Sequence, residues 1–283
     1  MQPAIDDEAA PYIVGPWLIA TAIDLVIQGV LLAQFIKYFT TFSGDPRVLR
    51  VYVAILLCLT CLKSAQAIAG TWYQLVVYSG DLPVVLEQYF GGGWLLGSAP
   101  SVVEILALYA QSYFCYRLYI ISRNVLLVAA VSGIFVAALV INSIAASYIL
   151  NEGYRHMKEI KYWCSVFLPV MLVGYALMTC STAYYLLKSK REALPSSAGF
   201  FKALLVLTFQ TAAPATICAL VNLIITLTFP AHPYDFAPAL AASTPNLLLP
   251  NMYTFSVMWT LNARTQLRTT LSTEVSGGVT VGG

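Results

Sequence analysis

Polar residues are sparse along this chain and gather in clusters, and between the clusters lie seven apolar runs: Ile13 to Tyr38, Val51 to Gly70, Ser101 to Ile121, Val125 to Tyr148, Tyr162 to Leu187, Ala203 to Phe229 and Ala237 to Leu261. About 20 such residues suffice for a helix to cross the hydrocarbon core of a bilayer. Long apolar runs broken by short polar segments predict an all-α, multi-pass membrane bundle rather than a large soluble core. The second run extends toward Val77, because Thr71 to Val77 is still apolar and aromatic. No connection is long enough for a separate soluble domain. One seven-helix domain over residues 13–264 is therefore expected, behind an extracellular N-terminus over 1–12 and ahead of a disordered cytoplasmic tail over 265–283, which is rich in Ser, Thr and Gly.

Composition agrees with that pattern. Of 283 residues, 59% are apolar and 10% charged, against roughly 25% charged in a soluble domain. A formal charge of +2, with no basic face interleaved with aromatics, gives no reason to expect nucleic acid as a partner. The placement of the basic residues carries more information than their sum. Lys37, Arg47, Arg50, Arg117, Arg123, Lys188, Lys190, Arg191, Lys202, Arg264 and Arg268 fall on one side of the spans, and only Arg155, Lys158 and Lys161 on the other. Basic residues in short loops stay in the cytoplasm, so the N-terminus is expected outside and the C-terminus inside. Met1 to Ala10 holds Asp6, Asp7 and Glu8 and no basic residue, so it lacks the positive region of a cleavable signal. The expected location is the plasma membrane or another secretory-pathway membrane. Trp72, Tyr73, Tyr78, Tyr89, Phe90 and Trp94, in the connection from Trp72 to Pro100, suit the membrane interface.

A few polar residues interrupt the spans. Asp24 lies about eleven residues into the first from one side and Lys63 about twelve into the second from the other. With ~1.5 Å rise per residue both reach mid-membrane. A lone charge there costs about 2.5–3.5 kcal/mol on insertion scales, which favours pairing, either as a fixed clamp or as a proton relay. Glu104, Leu108, Gln111 and Cys115 follow steps of four, three and four and share a helix face that should point inward. Thr211, Ala215, Cys218 and Asn222 make a similar stripe in the sixth span, and Pro169, Pro214 and Pro250 are candidate kink positions. Ala129, Gly133 and Ala137 form a small-xxx-small pattern in the fourth, read first as packing within the bundle and second as a homodimer contact.

Catalysis and cofactors are not expected. The two histidines, His156 and His232, lie in loops, so neither a His-ligated zinc nor a transmembrane haem has its ligands. The last span has no lysine for a retinal Schiff base, and no phosphate loop or serine elbow is present. Cys58 and Cys61 are spaced as Cys-x-x-Cys but sit inside an apolar run, and Cys115, Cys180 and Cys218 read as packing residues.

Four motifs occur in a telling order. They are Tyr73 to Pro83, then Gln111-Ser112-Tyr113-Phe114-Cys115-Tyr116-Arg117 with Arg123-Asn124, then Tyr184-Tyr185-Leu186 with Lys188-Ser189, and finally Leu261-Asn262-Ala263-Arg264 preceded by Tyr253 and Ser256. Together they resemble a large family of fungal, mainly basidiomycete, seven-helix membrane proteins catalogued as a domain of unknown function, of which the closing Leu-Asn-Ala-Arg is the most specific mark. The resemblance implies a seven-helix membrane fold and fungal origin, makes Arg117, Asn262 and Arg264 a cytoplasmic signature, and brings no activity. The chain departs from the family in having Thr60 and Lys63 where an aspartate and a histidine are common. Tyr175 stands in place of an aspartate, and Asn251 and Phe255 in place of a lysine and an asparagine.

Three functional readings follow. A receptor-like or sensory bundle would use Asp24, Lys63, Glu104, Gln111 and Asn222 around an unidentified ligand. It lacks the marks of animal-type G-protein receptors, since no acidic residue precedes Arg117 and the last span has no Asn-Pro-x-x-Tyr. A small-solute or proton-coupled transporter would use the Asp24/Lys63 pair, although no inverted repeat is evident. A membrane scaffold would need none of these residues for chemistry. Arg264 is read as an anchor at the cytoplasmic lipid surface.

Overall fold

The computed structural model describes residues 10–77, 97–151, 157–192, 198–228 and 236–264. Within them the chain is helical throughout: α1 (Ala10–Thr41), α2 (Arg47–Trp72), α3 (Ala99–Ser122), α4 (Val125–Asn151), α5 (Met157–Glu192), α6 (Ala198–Thr228) and α7 (Phe236–Asn262). No strand occurs among the described residues. A π-helical turn, Tyr73–Val77, continues α2, so the second apolar run does reach Val77. Four segments are long and apolar enough to cross a membrane: Gly15–Thr41, Arg47–Val77, Val125–Tyr148 and Lys158–Ser189. They mark the chain as a membrane protein. In α6 the apolar stretch within the described residues is the shorter Ala213–Thr228. The polar residues of α3 and α7 lower their hydropathy, and most of those residues are turned inward.

Burial in α1 shows how the pattern works. Trp17, Ala20, Thr21, Asp24, Gln28, Leu31, Phe35 and Tyr38 are buried at three- and four-residue steps, while Ile19, Val26 and Ile36 between them are exposed. A helix that is apolar all round yet exposes one face is suited to hydrocarbon on that face. By contrast α7 is enclosed on nearly every side, with Leu249, Asn251, Tyr253, Thr254, Ser256, Val257, Met258, Thr260 and Leu261 all buried.

The helices close a ring in chain order, α7 packing back on α1, and α3 crosses the interior to reach α5 and α7. Hydrogen bonds between helix ends fix their directions. Trp17 near the start of α1 donates to Thr71 at the end of α2 (3.1 Å), and Gln66 of α2 donates to Ser98 just ahead of α3 (2.9 Å). Thr244 near the start of α7 donates to the Pro16 carbonyl (3.2 Å), while Asn262 at its end donates to the Gln34 carbonyl (3.0 Å). Thus α1, α3 and α7 run parallel, from what we term the proximal end to the distal end, and α2 runs back. The start of α2 is also clasped to the middle of α3. Each of Tyr52 and Tyr109 donates its hydroxyl to the other's backbone carbonyl (2.8 and 3.1 Å), and their rings stack 4.6 Å apart.

Local chemistry sets the tight turns. Arg123 takes a left-handed φ of 54°, which ends α3, and its N–H donates to the Tyr119 carbonyl (2.9 Å). The next residue, Asn124, caps α4, its Oδ1 accepting the Leu127 N–H at 3.2 Å. Between α4 and α5 the Phe135 side chain packs directly on Gly174. A Cβ added there would lie 2.9 Å from Phe135 Cε1.

Two packing expectations are corrected. Ala129, Gly133 and Ala137 are all exposed, and a Cβ added to Gly133 meets nothing within 4 Å. The close α4 contact is made by Phe135 on Gly174, so the small-residue stripe does not pack the bundle, and only its copy-to-copy reading remains. Cys180 is exposed and Cys218 half-buried, so of the three cysteines read as packing residues only Cys115 is buried. Cys58 and Cys61 also face outward. Tyr78, Tyr89, Phe90, Trp94, both histidines, the 1–9 segment and the tail beyond residue 264 lie outside the described residues, as does the side chain of Thr211.

Candidate functional site

Three helices converge on Asp24. The α1 stripe turns this carboxylate inward to 0% exposure, and Lys63 of α2 reaches it with 2% exposure. Lys63 Nζ donates to Asp24 Oδ1 as a buried ion pair. The same Oδ1 accepts from Asn251 Nδ2 of α7 at 2.7 Å, and Oδ2 accepts from Ser64 Oγ at 3.0 Å. The pairing expected from depth is present, and two donors that the sequence reading had not assigned complete it. One turn further along α1, Gln28 donates from Nε2 to Thr60 Oγ1 at 3.5 Å and sits equally near Cys61 Sγ. Gln28 Oε1 and Asn251 Oδ1 are buried without a hydrogen-bond partner among the described residues. Charge on Asp24 is thus met by one cation and two neutral donors, whereas Asp24 is the hydrogen-bonding partner of the Lys63 ammonium. The pair and its two extra donors tie α1, α2 and α7 together in the interior.

The inward face of α3 behaves as its spacing predicted. Glu104, Gln111 and Cys115 are buried and Leu108 is half-buried. Gln111 Nε2 donates to the Tyr175 hydroxyl of α5. The Tyr175 ring stacks on Tyr253 of α7, with centroids 4.6 Å apart. This layer of Gln111, Tyr175 and Tyr253 lies between two cavities and Tyr253 lines both.

The proximal cavity, about 130 Å³, is walled by residues of α1, α3, α4, α5 and α7, among them Trp17, Phe167, Met171 and Tyr253. Its polar lining comes from Glu104, Asn142 and Asn246. Glu104 is 4% exposed, and among the described residues its carboxylate has neither a hydrogen-bond nor an ion-pair partner. Asn222, expected at a site, stands behind this wall and donates to Asn246 Oδ1 at 2.6 Å. The distal cavity is smaller, about 40 Å³, and is lined by Arg117, Thr182, Thr208 and Ser256. Arg117 Nη2 donates to Thr208 Oγ1 at 2.8 Å.

The five candidate residues therefore do not form one site. Asp24 and Lys63 make the buried ion pair, Gln111 the dividing layer, and Glu104 with Asn222 behind it the proximal cavity. Neither of these two cavities is lined by Asp24 or Lys63. The signature residues are tied into the structure. Arg264 donates from Nη2 to Asp45 Oδ2 at 2.6 Å, lies 4.7 Å above the Phe42 ring, and shares Asp45 with the Tyr38 hydroxyl (3.0 Å). Arg264 thus staples the α1–α2 turn to the end of α7, a contact that its reading as a lipid-surface anchor did not include.

A family model described as a family of unknown function, DUF6534, matches residues 172–266. That stretch holds most of α5, all of α6 and α7, and the Leu261-Asn262-Ala263-Arg264 run. No curated protein and no solved structure matches the chain.

Proposed function

We propose that this protein is a receptor-like membrane bundle that binds a small ligand in its proximal cavity and reports occupancy at its distal end. In this reading all seven helices span the bilayer, with the proximal end outside and the distal end cytoplasmic. The excess of basic residues on the distal side supports that orientation. The observation that carries the proposal is Tyr253. It lines the cavity holding Glu104, lines the cavity holding Arg117, and stacks on Tyr175, which Gln111 hydrogen-bonds. A ligand that presses on Tyr253 from one side changes the packing around Arg117 on the other, through a close-packed layer that deforms in steps.

A carrier built on Asp24 and Lys63 is the second reading, and it needs that pair to meet water in turn. Its near-complete burial and its two extra donors fit a clamp better. A scaffold needs no cavity at all.

The test is a ligand panel against the purified protein in lipid nanodiscs, read by thermal stability and by amide exchange at the distal ends of α3, α6 and α7. The receptor reading expects at least one small ligand to raise stability and slow or hasten distal exchange. Ligands that bind yet leave distal exchange untouched would contradict it.

A further inference from the structure

The proximal cavity contains a mismatch. Its walls are apolar and aromatic, from Trp17, Phe167, Met171, Leu249 and Tyr253, yet an acid side chain opens into it. Glu104 is nine-tenths buried, and none of the described residues offers it a hydrogen or a cation. Elsewhere in this protein acids are treated differently. Buried Asp24 is given a lysine, a serine and an asparagine, and even half-buried Asp45 an arginine and a tyrosine. A buried acid without a partner is costly, and a group kept at such a cost inside a cavity is a candidate for meeting a partner from outside the chain. The half-buried Asn142 amide lines the same space.

From this we infer that the proximal cavity binds a small organic amine as its ammonium, with Glu104 as counter-ion and an apolar body of about one ring in the aromatic pocket. This rests on the ligand-binding half of the receptor-like reading. The charge sign follows from the single acid and the absence of a basic residue among the described residues of the lining. Size follows from the volume: about 130 Å³ is close to the ~150 Å³ apolar cavity that accepts benzene. The aromatic walls favour a cation over an anion, because ring faces carry negative potential. Whether the proton arrives on the amine or on Glu104, the two meet as one ion pair with no other reactant needed. Asn142 adds an amide able to accept from the same ammonium.

The experiment compares benzylammonium with benzyl alcohol, its neutral counterpart of equal shape, on the full chain in phosphatidylcholine nanodiscs, with empty nanodiscs subtracted. Binding is read by calorimetry and by the shift in thermal unfolding. Benzylammonium should bind saturably and at least roughly tenfold tighter than the alcohol, the ratio expected of a charge-assisted hydrogen bond. In Glu104→Gln, which keeps the side chain's shape, that preference should vanish while alcohol binding stays. Equal affinity of the two probes for the native protein would overturn the amine assignment and leave the ligand cavity standing. Absence of binding by both would overturn the amine assignment together with the cavity reading. A preference that persists in folded Glu104→Gln would place the counter-ion elsewhere. The native comparison needs no variant, so a misfolded Glu104→Gln does not protect the inference.

Discussion

The ion pair at the centre of α1, α2 and α7 allows a quantitative forecast, because its two members are not equally well supported. In Lys63→Met the carboxylate of Asp24 keeps Ser64 at 3.0 Å and Asn251 at 2.7 Å as donors. In Asp24→Asn the Lys63 ammonium loses its carboxylate partner. Breaking a buried pair from one side costs about 3–5 kcal/mol when the remaining charge is stranded, and a hydrogen bond to a charged group offsets about 1.5–3 kcal/mol. Asp24→Asn should therefore cost about 3–5 kcal/mol and Lys63→Met about 1–3 kcal/mol. Removing both charges together replaces a desolvated pair by neutral groups of similar volume, which is often close to neutral. The double variant should lie within about 1–2 kcal/mol of the native protein, giving a coupling energy of about 4–5 kcal/mol. Equilibrium unfolding in mixed lipid–detergent micelles with a stepwise denaturing detergent measures all four members of the cycle. Additive single effects, or a larger loss in Lys63→Met than in Asp24→Asn, would refute the geometry. The exchange Lys63→Asn with Asn251→Lys offers a further check. Both positions already bond the same carboxylate oxygen, so the exchanged protein should be more stable than either single variant.

Other expectations concern packing and the distal end. Gly174→Ala should cost about 1–3 kcal/mol because its Cβ would meet Phe135 at 2.9 Å, whereas Gly133→Ala, facing open space, should be neutral or gain up to about 1 kcal/mol in helix propensity. The same micelle titration separates them, and equal effects would contradict the α4–α5 contact. Tyr175→Phe deprives the buried Gln111 amide of its acceptor and should cost about 1–3 kcal/mol, most of it recovered when Gln111→Leu is added. Arg264→Met should cost no more than about 1 kcal/mol, as a half-exposed pair, yet should speed amide exchange in the α1–α2 turn at residues 42–45. A turn that stays protected would argue against the staple.

Architecture was legible in the sequence because one period governs it. Counting along α1 and α2 placed Asp24 and Lys63 at the same depth, and the face from Glu104 to Cys115 was read correctly in α3. What could not be read lies across large separations. Asn251 completes the Asp24 site from 227 residues away and Tyr175 meets Gln111 from 64 residues away, and no local pattern encodes either. A hint existed in α7, where Asn251, Thr254, Ser256 and Thr260 stand in an apolar run at positions too widely spread for one stripe, as in a helix enclosed on all sides. The stripe of Ala129, Gly133 and Ala137 misled because small residues permit close packing without requiring it, and the neighbouring Phe135 took the contact. Arg264 was read as a lipid anchor because its partner Asp45 sits in a turn of another helix pair, 219 residues earlier.

The division of labour between clamp and cavity meets its most direct test in proton and ion flux through liposomes, with native protein and Lys63→Met compared at equal, verified incorporation. A clamp beside a ligand cavity gives no flux above empty liposomes in either protein. Flux through the native protein that disappears in a correctly folded Lys63→Met would make the buried charge a transport element and contradict the account.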